Sequence, residues 1–144
     1  MARPRGPVFA FFADAANLEK LTPASLRFQI QSRPPIEMRP GAQIDYRISL
    51  FGLAFRWRTI IQAFEPEVRF VDVQAAGPYR YWRHTHEFTD APGGTLVRDR
   101  VEYELPLGPL GEIARTLFVK RQLRQIFDFR RTAISKVFAL EGAP

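Results

Sequence analysis

Cysteine is absent from this 144-residue sequence, which excludes disulfide bonds, thiolate catalysis and cysteine-ligated zinc. Histidine is nearly as scarce, since the chain has two, and they stand close together at His84 and His86. No stretch approaches the roughly 20 consecutive apolar residues of a membrane-spanning helix, so we expect no integral membrane association. The serines lie in no context that would activate a nucleophile. No glycine-rich loop suited to phosphate is present.

The chain does contain an ordinary globular balance of residues with many aromatic rings. Hydrophobic residues make up 46% and charged residues 25%, a composition that argues against wholesale disorder. The length suits a single domain, which we expect over residues 1–144. Thirteen phenylalanines provide flat, bulky rings that fill a core or line a cavity. The apolar burst at residues 8–13 is too short for a signal peptide, so we expect a soluble cytoplasmic protein.

Basic residues outnumber acidic ones and give the chain a formal net charge of +6. Many arginines are scattered through segments that alternate like strands, and such scatter is typical of a solvated outer face. One concentration lies near the C-terminus and comprises Arg115, Lys120, Arg121, Arg124, Arg130, Arg131 and Lys136. We expect no nucleic-acid partner. An interaction protein that meets an acidic partner or surface through this basic segment stays open as one function class.

The first part of the chain predicts two short helices and then a strand. A helix is predicted over residues 7–13, because Pro7 suits a first helical turn and the residues after it are apolar. A second short helix is predicted at residues 17–21, with Asn17 as its N-cap. Alternation over residues 26–30 indicates the first strand.

Regular alternation further along predicts a meander of long strands. Ile44 and Tyr46 share one face of the first long strand, and Trp57 and Ile61 share one face of the next. The predicted strands lie at residues 43–51, 55–65, 68–74, 79–88 and 95–105, and the last two are joined by a turn at 89–94. Short connections between consecutive strands imply an antiparallel sheet.

The last predicted element is one long amphipathic helix that starts at Pro109. Its apolar stripe comprises Leu110, Ile113, Ala114, Leu117, Leu123, Ile126, Phe127, Ile134, Val137 and Phe138. A helix of about 28 residues is roughly 42 Å long and needs a large apolar surface to lie on. The concave face of the sheet is that surface. We therefore expect a cavity between the two, because one helix does not fill a strongly curved sheet.

The predicted hairpin of the last two strands carries polar residues among bulky apolar ones. Side chains alternate between the faces of a strand, so Trp82, His84 and His86 share one face. By the same rule Asp99 and Tyr103 share one face of the partner strand. Large apolar side chains are not typical of a solvent-facing row. We interpret the hairpin as the polar end of an apolar concave surface, which points to a binding site.

Several short sequence motifs along the chain are each weak signals, but as a set they are specific enough to indicate a protein family. They are VFAFF at residues 8–12, NL at 17–18, LTP at 21–23, WR at 57–58, FVDVQ at 70–74, GPY at 77–79, WRHTH at 82–86 and DRVEY at 99–103. With the order of elements, they resemble the START/SRPBCC helix-grip superfamily of ligand-binding and polyketide cyclase/dehydrase-like proteins. They are most similar to a bacterial subgroup, some members of which carry a cell-division-inhibitor label.

The resemblance covers residues 8–138 and implies an α+β helix-grip fold. That fold is a curved antiparallel sheet of about six strands around a long C-terminal helix, with two short N-terminal helices. Members usually begin with a strand, whereas residues 1–6 before Pro7 lack strand character here. Either the start of the sequence is misassigned or truncated, or the sheet lacks this edge strand and has an unpaired edge. Such an edge would favour a homodimer as one partner.

The resemblance and the polar hairpin together predict that the protein binds a small, largely hydrophobic molecule between sheet and helix. The predicted ligand-binding residues are Tyr46, Trp57, Asp72, Gln74, Trp82, His84, His86, Asp99 and Tyr103. We expect a non-catalytic binding protein with no cofactor, no bound metal and no catalytic residue.

Three other interpretations of the same residues stay open. The histidines could be core residues that hydrogen-bond a carboxylate such as Asp99. His84 or His86 with Asp99 could instead serve as acid or base in an enzyme of the cyclase or dehydratase type. The His-x-His pair and an acid from a neighbouring strand could also hold a metal ion.

Overall fold

The computed structural model describes residues 1–50, 52–106 and 108–140, and one antiparallel sheet forms its centre. Six strands lie side by side in chain order. They are β1 (Gln29–Ile30), β2 (Gln43–Leu50), β3 (Leu53–Glu65), β4 (Arg69–Ala76), β5 (Tyr81–Ala91) and β6 (Gly94–Glu104). The predicted meander of about six antiparallel strands is confirmed.

Apolar side chains at alternate positions give the sheet one buried face. In β2, Ile44 and Leu50 are buried, and the register places Tyr46 opposite Trp57 of β3. The pairing of β3 with β4 shifts register at two points. An extra residue at such a point bends the strand and increases its twist. The sheet therefore curves towards the elements that cover its apolar face.

The hairpin of β5 and β6 turns more tightly than the sequence predicts. Ala91 pairs with Gly94, which leaves Pro92 and Gly93 as the turn. Gly93 has a φ of 78°, a left-handed conformation that glycine adopts without strain. The predicted turn at residues 89–94 contains this turn but is longer than it, because the pairing of β5 with β6 continues through Asp90 and Thr95.

The segment between the first helix and the long strands differs from its prediction. The structure has α1 at Arg5–Ala13 and single 3₁₀ turns at Ala15–Leu18 and Ala24–Leu26. Asp14 caps the first turn by accepting a hydrogen bond from Ala16 N at 2.9 Å, so Asn17 is not the N-cap. Asn17 is buried, and its side-chain amide donates to the Phe11 carbonyl at 3.0 Å. Arg27, at a left-handed φ of 45°, ends the second turn and shortens the strand predicted over residues 26–30.

The start of the chain lies against the beginning of β6. The backbone N–H of Thr95 donates to the Met1 carbonyl at 2.8 Å, and Met1 N donates to the Thr95 carbonyl at 2.7 Å. The Thr95 hydroxyl also donates to the Arg3 carbonyl at 2.8 Å. In the described part of the chain these residues are not a strand, as expected. They cover one end of β6, which is an edge strand of the sheet.

The C-terminal element is helical from Gly108 to Leu140, so the predicted long helix is confirmed, but a π-helical segment changes its winding. It consists of α2 (Gly108–Ala114), a π-helical segment (Arg115–Val119) and α3 (Lys120–Leu140). Leu110, Ile113 and Leu117, which the predicted stripe included, are 70%, 57% and 59% exposed. A π-helical turn holds more residues than an α-turn and therefore rotates the stripe on one side of it relative to the other. The apolar face that packs on the sheet begins at Val119.

α3 covers the concave face of the sheet through two apolar clusters. Near its start, Val119 packs in a cluster with the buried Trp57 and Tyr79. Near its end, Ile134 packs with Phe88 of β5 and with the buried face of α1. No helix among the described residues is long and apolar enough to cross a membrane. The architecture is an α+β helix-grip fold, as the resemblance implied.

We expect Ile134→Ala to lower the free energy of unfolding by about 2 to 4 kcal/mol, because it removes buried methyl groups under α3. Leu117→Ala should change it by less than about 0.5 kcal/mol, because Leu117 is exposed. Urea unfolding of both variants measures the difference. A similar cost for the two would contradict the rotated stripe.

Gly94→Ala should destabilise the protein by about 1 to 3 kcal/mol, because a Cβ there would clash with the Met1 carbonyl and lie 2.8 Å from Met1 C. Gly6→Ala is the matched control, since its Cβ would lie 3.2 Å from the flexible end of Glu67 and alanine favours α1. We expect this control to be neutral or slightly stabilising in thermal unfolding. If Gly94→Ala were equally neutral, the contact between Met1 and β6 would be absent in solution.

Candidate functional site

A cavity of about 140 Å³ lies between the concave face of the sheet and α3. Strands β2 and β3 contribute one wall, and the 3₁₀ turns after α1 contribute another. On the helix side the cavity is lined by Leu123, Ile126 and Phe127. Most of the lining is apolar.

Aromatic residues of β2, β3 and β5 form a wall whose polar atoms are already bonded. Tyr46 stacks on Trp57 with 5.8 Å between ring centroids, and Trp82 meets Trp57 edge-on at 5.3 Å. The Trp57 indole donates to the Thr59 hydroxyl at 3.1 Å, and the Tyr46 hydroxyl lies 3.3 Å from the same oxygen. Burial raises the pKa of Tyr46, so its phenol stays neutral. The wall therefore offers ring faces to a ligand.

The polar end of the cavity consists of Asp72, His84 and His86, which all line it. His86 donates from Nε2 to Asp72 Oδ2 at 3.1 Å. His84 Nδ1 lies 3.6 Å from the same carboxylate oxygen. The two imidazole rings are 3.7 Å apart between centroids, closer than the backbone spacing of alternate strand residues, because they tilt towards each other.

Asp99 supports this group from behind. It accepts a hydrogen bond from His84 Nε2 at 3.1 Å. His86 Nδ1 lies 2.7 Å from the same Asp99 oxygen, although the direction of approach is outside that of a hydrogen bond. Because Nε2 of His84 carries the proton that it donates, a neutral His84 has its lone pair on Nδ1, the atom nearer to Asp72.

Strand register explains why these four side chains meet. Asp72 of β4 pairs directly with His84 of β5, and His86 pairs directly with Asp99 of β6. The histidines are two positions apart on one strand, so they project from the same face. Each carboxylate therefore contacts both imidazoles, and four of the nine predicted site residues lie together.

The two histidines differ in their ionisation. Burial, with the charge of the neighbouring His86, lowers the pKa of His84 to about 4. Burial also disfavours a charged His86, but its contacts with Asp72 and Asp99 outweigh this effect and raise its pKa. Although burial opposes it, hydrogen bonding to the histidines lowers the pKa of both carboxyls. The cluster thus holds two carboxylates, one neutral imidazole and one that favours its protonated form.

Arg130 of α3 completes the polar end, and the sequence analysis missed its role. It lines the cavity, and its guanidinium lies 5.4 Å from the ring centre of Phe127. Its Nε is buried without a hydrogen-bond partner among the described residues. The signal was its spacing, because Arg130 is four residues after Ile126 and four before Ile134 and so shares their face. Counting it with the basic face of the helix was wrong.

Two predicted site residues lie away from the polar cluster. The Gln74 side chain donates to the Tyr79 carbonyl at 2.7 Å and accepts from Tyr79 N at 3.3 Å, which fixes the connection between β4 and β5. Tyr103 packs against the rings of Tyr79 and Trp82 at 5.8 and 6.2 Å. Both residues therefore support the end of the aromatic wall.

The same cluster has the composition of a metal site. Asp72, His84 and His86 each offer one ligand atom, and these atoms lie within 4.8 Å of one another. Two imidazoles and one carboxylate are a common donor set for transition metals. In the absence of a metal, the neutral His84 is also placed to accept a proton from a molecule in the cavity.

Comparison with known families identifies a match over most of the chain. A family model described as "Polyketide cyclase / dehydrase and lipid transport" matches residues 1–130. No curated protein matches the chain. Solved structures of low sequence identity share the fold.

Three of these structures illustrate the similarity. The protein TTHA0849 from Thermus thermophilus has a TM-score of 0.76 at 16% identity, with 99% of this chain and 94% of that chain covered. The protein NE0264 from Nitrosomonas europaea has a TM-score of 0.72 at 16% identity, covering 100% and 92%. A START superfamily protein from Mycobacterium smegmatis has a TM-score of 0.65 at 15% identity, covering 97% and 93%.

Asp99→Asn should lower the pKa of His86 in metal-free protein, because the variant removes a negative charge 2.7 Å from its ring. We expect the variant to lose about 1 to 3 kcal/mol of stability as well, since both imidazoles lose a charged partner. NMR titration of the imidazole signals measures the pKa. Glu102→Gln is the matched control, because it removes a charge from the exposed face of the same strand. An unchanged His86 pKa in Asp99→Asn would contradict the contact.

Proposed function

Because the chain belongs to the polyketide cyclase/dehydrase and lipid transport family, we propose that it binds a small, largely apolar molecule in the cavity between the sheet and α3. The observation that carries this proposal is an apolar cavity with a few polar groups gathered at one end. Such a division is typical of ligand sites, in which apolar walls provide affinity and polar groups fix orientation.

The volume of the cavity limits the size of the ligand. At about 140 Å³ it is close to an engineered protein cavity of roughly 150 Å³ that holds benzene. Drug-sized ligands occupy pockets of about 300 Å³ or more. We therefore infer a molecule with one six-membered ring, or a short chain of similar bulk. The aromatic rings of Tyr46, Trp57 and Trp82 would provide most of the contacts to this molecule.

The charges at the polar end favour a neutral oxygen on that molecule. Two carboxylates, a protonated His86 and Arg130 sum to no net charge, so an added anion would be a buried charge without a counter-ion. The buried Nε of Arg130 can donate a hydrogen bond, and Asp72 can accept one. A hydroxyl group suits this pair, because it can accept a hydrogen bond from Arg130 and donate one to Asp72.

A cyclase or dehydratase-like enzyme is the second candidate, and the state of His84 favours it. A neutral imidazole that donates to Asp99 and presents a free lone pair can act as a general base, and its pKa of about 4 makes it a weak one at neutral pH. In this role His84 Nδ1 would take a proton from the ligand, and the carboxylates would stabilise the charged ring. His84→Ala would then lower turnover by orders of magnitude, whereas a binding protein would lose affinity modestly.

We expect phenol to raise the melting temperature of the protein more than toluene or benzoate does. At about ten times its dissociation constant, phenol would add about 1.4 kcal/mol. For a domain of this size that corresponds to a shift of roughly 3 °C. Toluene lacks the oxygen and should bind about fivefold more weakly, which is the effect of one hydrogen bond of about 1 kcal/mol.

Variants on α3 separate cavity binding from surface binding. Ile126→Trp places a large side chain in the cavity and should abolish the phenol shift. Gln125→Trp is the matched control, because it adds the same side chain to the exposed face of the same helix. Circular dichroism checks that both variants are folded. No shift with any of the three compounds, or an equal shift in Ile126→Trp, would refute the proposal.

The other expectations from the sequence are not tested by the fold or by the relatives, and they stay predictions. They are a single domain over residues 1–144, a cytoplasmic location, the lack of a nucleic-acid partner and a homodimer through the sheet edge. An acidic partner for the basic face of α3 also stays a prediction.

A further inference from the structure

We propose that Asp72, His84 and His86 form a binding site for a divalent first-row transition-metal ion, with open coordination positions directed into the cavity. This inference goes beyond the binding of an organic molecule and does not depend on it. It rests on the positions of three ligand atoms, on the second carboxylate behind them and on the open space in front.

The ligand atoms are already close to the spacing that a metal requires. Metal–nitrogen and metal–oxygen bonds are about 2.0 to 2.2 Å, so neighbouring ligand atoms in a complex are roughly 3.0 to 3.5 Å apart. Asp72 Oδ2 is 3.1 Å from His86 Nε2 and 3.6 Å from His84 Nδ1. All three atoms fit within 4.8 Å, so small rotations of the imidazoles suffice.

Asp99 has the position of a carboxylate that orients metal-binding histidines. A histidine ligand usually donates its other ring N–H to a carboxylate or carbonyl, which fixes the ring and increases its basicity. The ring nitrogens that do not face Asp72 are His84 Nε2 and His86 Nδ1, and they lie 3.1 and 2.7 Å from Asp99 Oδ1. One carboxylate oxygen thus lies beside the second ring nitrogen of both imidazoles, hydrogen-bonded to His84 and in close contact with His86, and Asp99 acts as a positioning residue.

The location of the three ligands favours an accessible ion. Asp72, His84 and His86 line the cavity, while Asp99 lies behind the rings. A divalent ion balances the charge of the two carboxylates when both imidazoles are neutral, as metal ligands must be, and Arg130 then adds one positive charge at the polar end. Three protein ligands leave at least one coordination position for water or a ligand oxygen, as in catalytic metal sites. Two imidazoles with one carboxylate suit zinc or iron(II) better than magnesium or calcium.

The test is a titration of chelator-treated, metal-free protein with cobalt(II) as a spectroscopic probe and with zinc. The chain has two histidines, so every imidazole NMR signal of the wild type reports on this site. We expect cobalt(II) to shift and broaden both imidazole spectra, to develop visible absorption bands typical of nitrogen and oxygen ligation, and to be displaced by zinc. Zinc should also raise the melting temperature.

Variants then assign the ligands. Asp72→Asn and His84→Gln should abolish the cobalt absorption, and Asp99→Asn should weaken binding by about 10- to 100-fold while the bands are retained. Glu102→Gln, on the outer face of β6, should bind like the wild type.

Two results would overturn the proposal. The first is the absence of any cobalt-induced change in the imidazole signals of wild-type protein up to millimolar metal. This reading needs no variant and does not depend on whether the substituted proteins fold. The second is cobalt absorption of equal strength in wild type and Asp72→Asn, which would place the ion elsewhere.

Discussion

Two carboxylates lie beneath a helix in a largely apolar interior. The structure around them follows from the need to provide hydrogen-bond partners and opposite charges for both. An unpaired buried carboxylate would cost far more than one residue contributes to stability. Asp72 and Asp99 each contact both His84 and His86, and Arg130 approaches from α3. This arrangement requires β4, β5 and β6 to keep one register, because a shift by one residue would turn the imidazoles to the opposite face.

The same requirement explains why a cavity persists beneath α3. Apolar side chains at either end of the helix pack on the sheet, Val119 near its start and Ile134 near its end. Between them the helix passes over polar groups that face it and over the rings of Tyr46 and Trp57. A continuous apolar core cannot form there, because it would leave the charged groups without polar partners. Space therefore remains where polar and apolar surfaces meet.

Much of the fold and part of the site could be predicted from the sequence. What could not be predicted was missed for physical reasons. Alternation along β2, β3, β5 and β6 gave the correct faces, because burial on one side imposes a period of two. The approach of His84, His86 and Asp99 followed from the same rule. The π-helical segment in the C-terminal helix was missed, because such a segment has no strong sequence signal and its residue Leu117 fits an α-helical stripe. The role of Arg130 was missed because the residue was assigned to the basic residues by its charge, before its position on the apolar face of the helix was considered.

The aromatic wall has a spectroscopic consequence. The chain contains two tryptophans, Trp57 and Trp82, and both line the cavity with their rings 5.3 Å apart and nearly perpendicular. All of the intrinsic indole fluorescence of this protein therefore originates from one side of the cavity. At this separation the two chromophores exchange excitation energy and couple their electronic transitions. The near-ultraviolet optical spectrum of the unlabelled protein is thus a direct record of what occupies the space between sheet and helix.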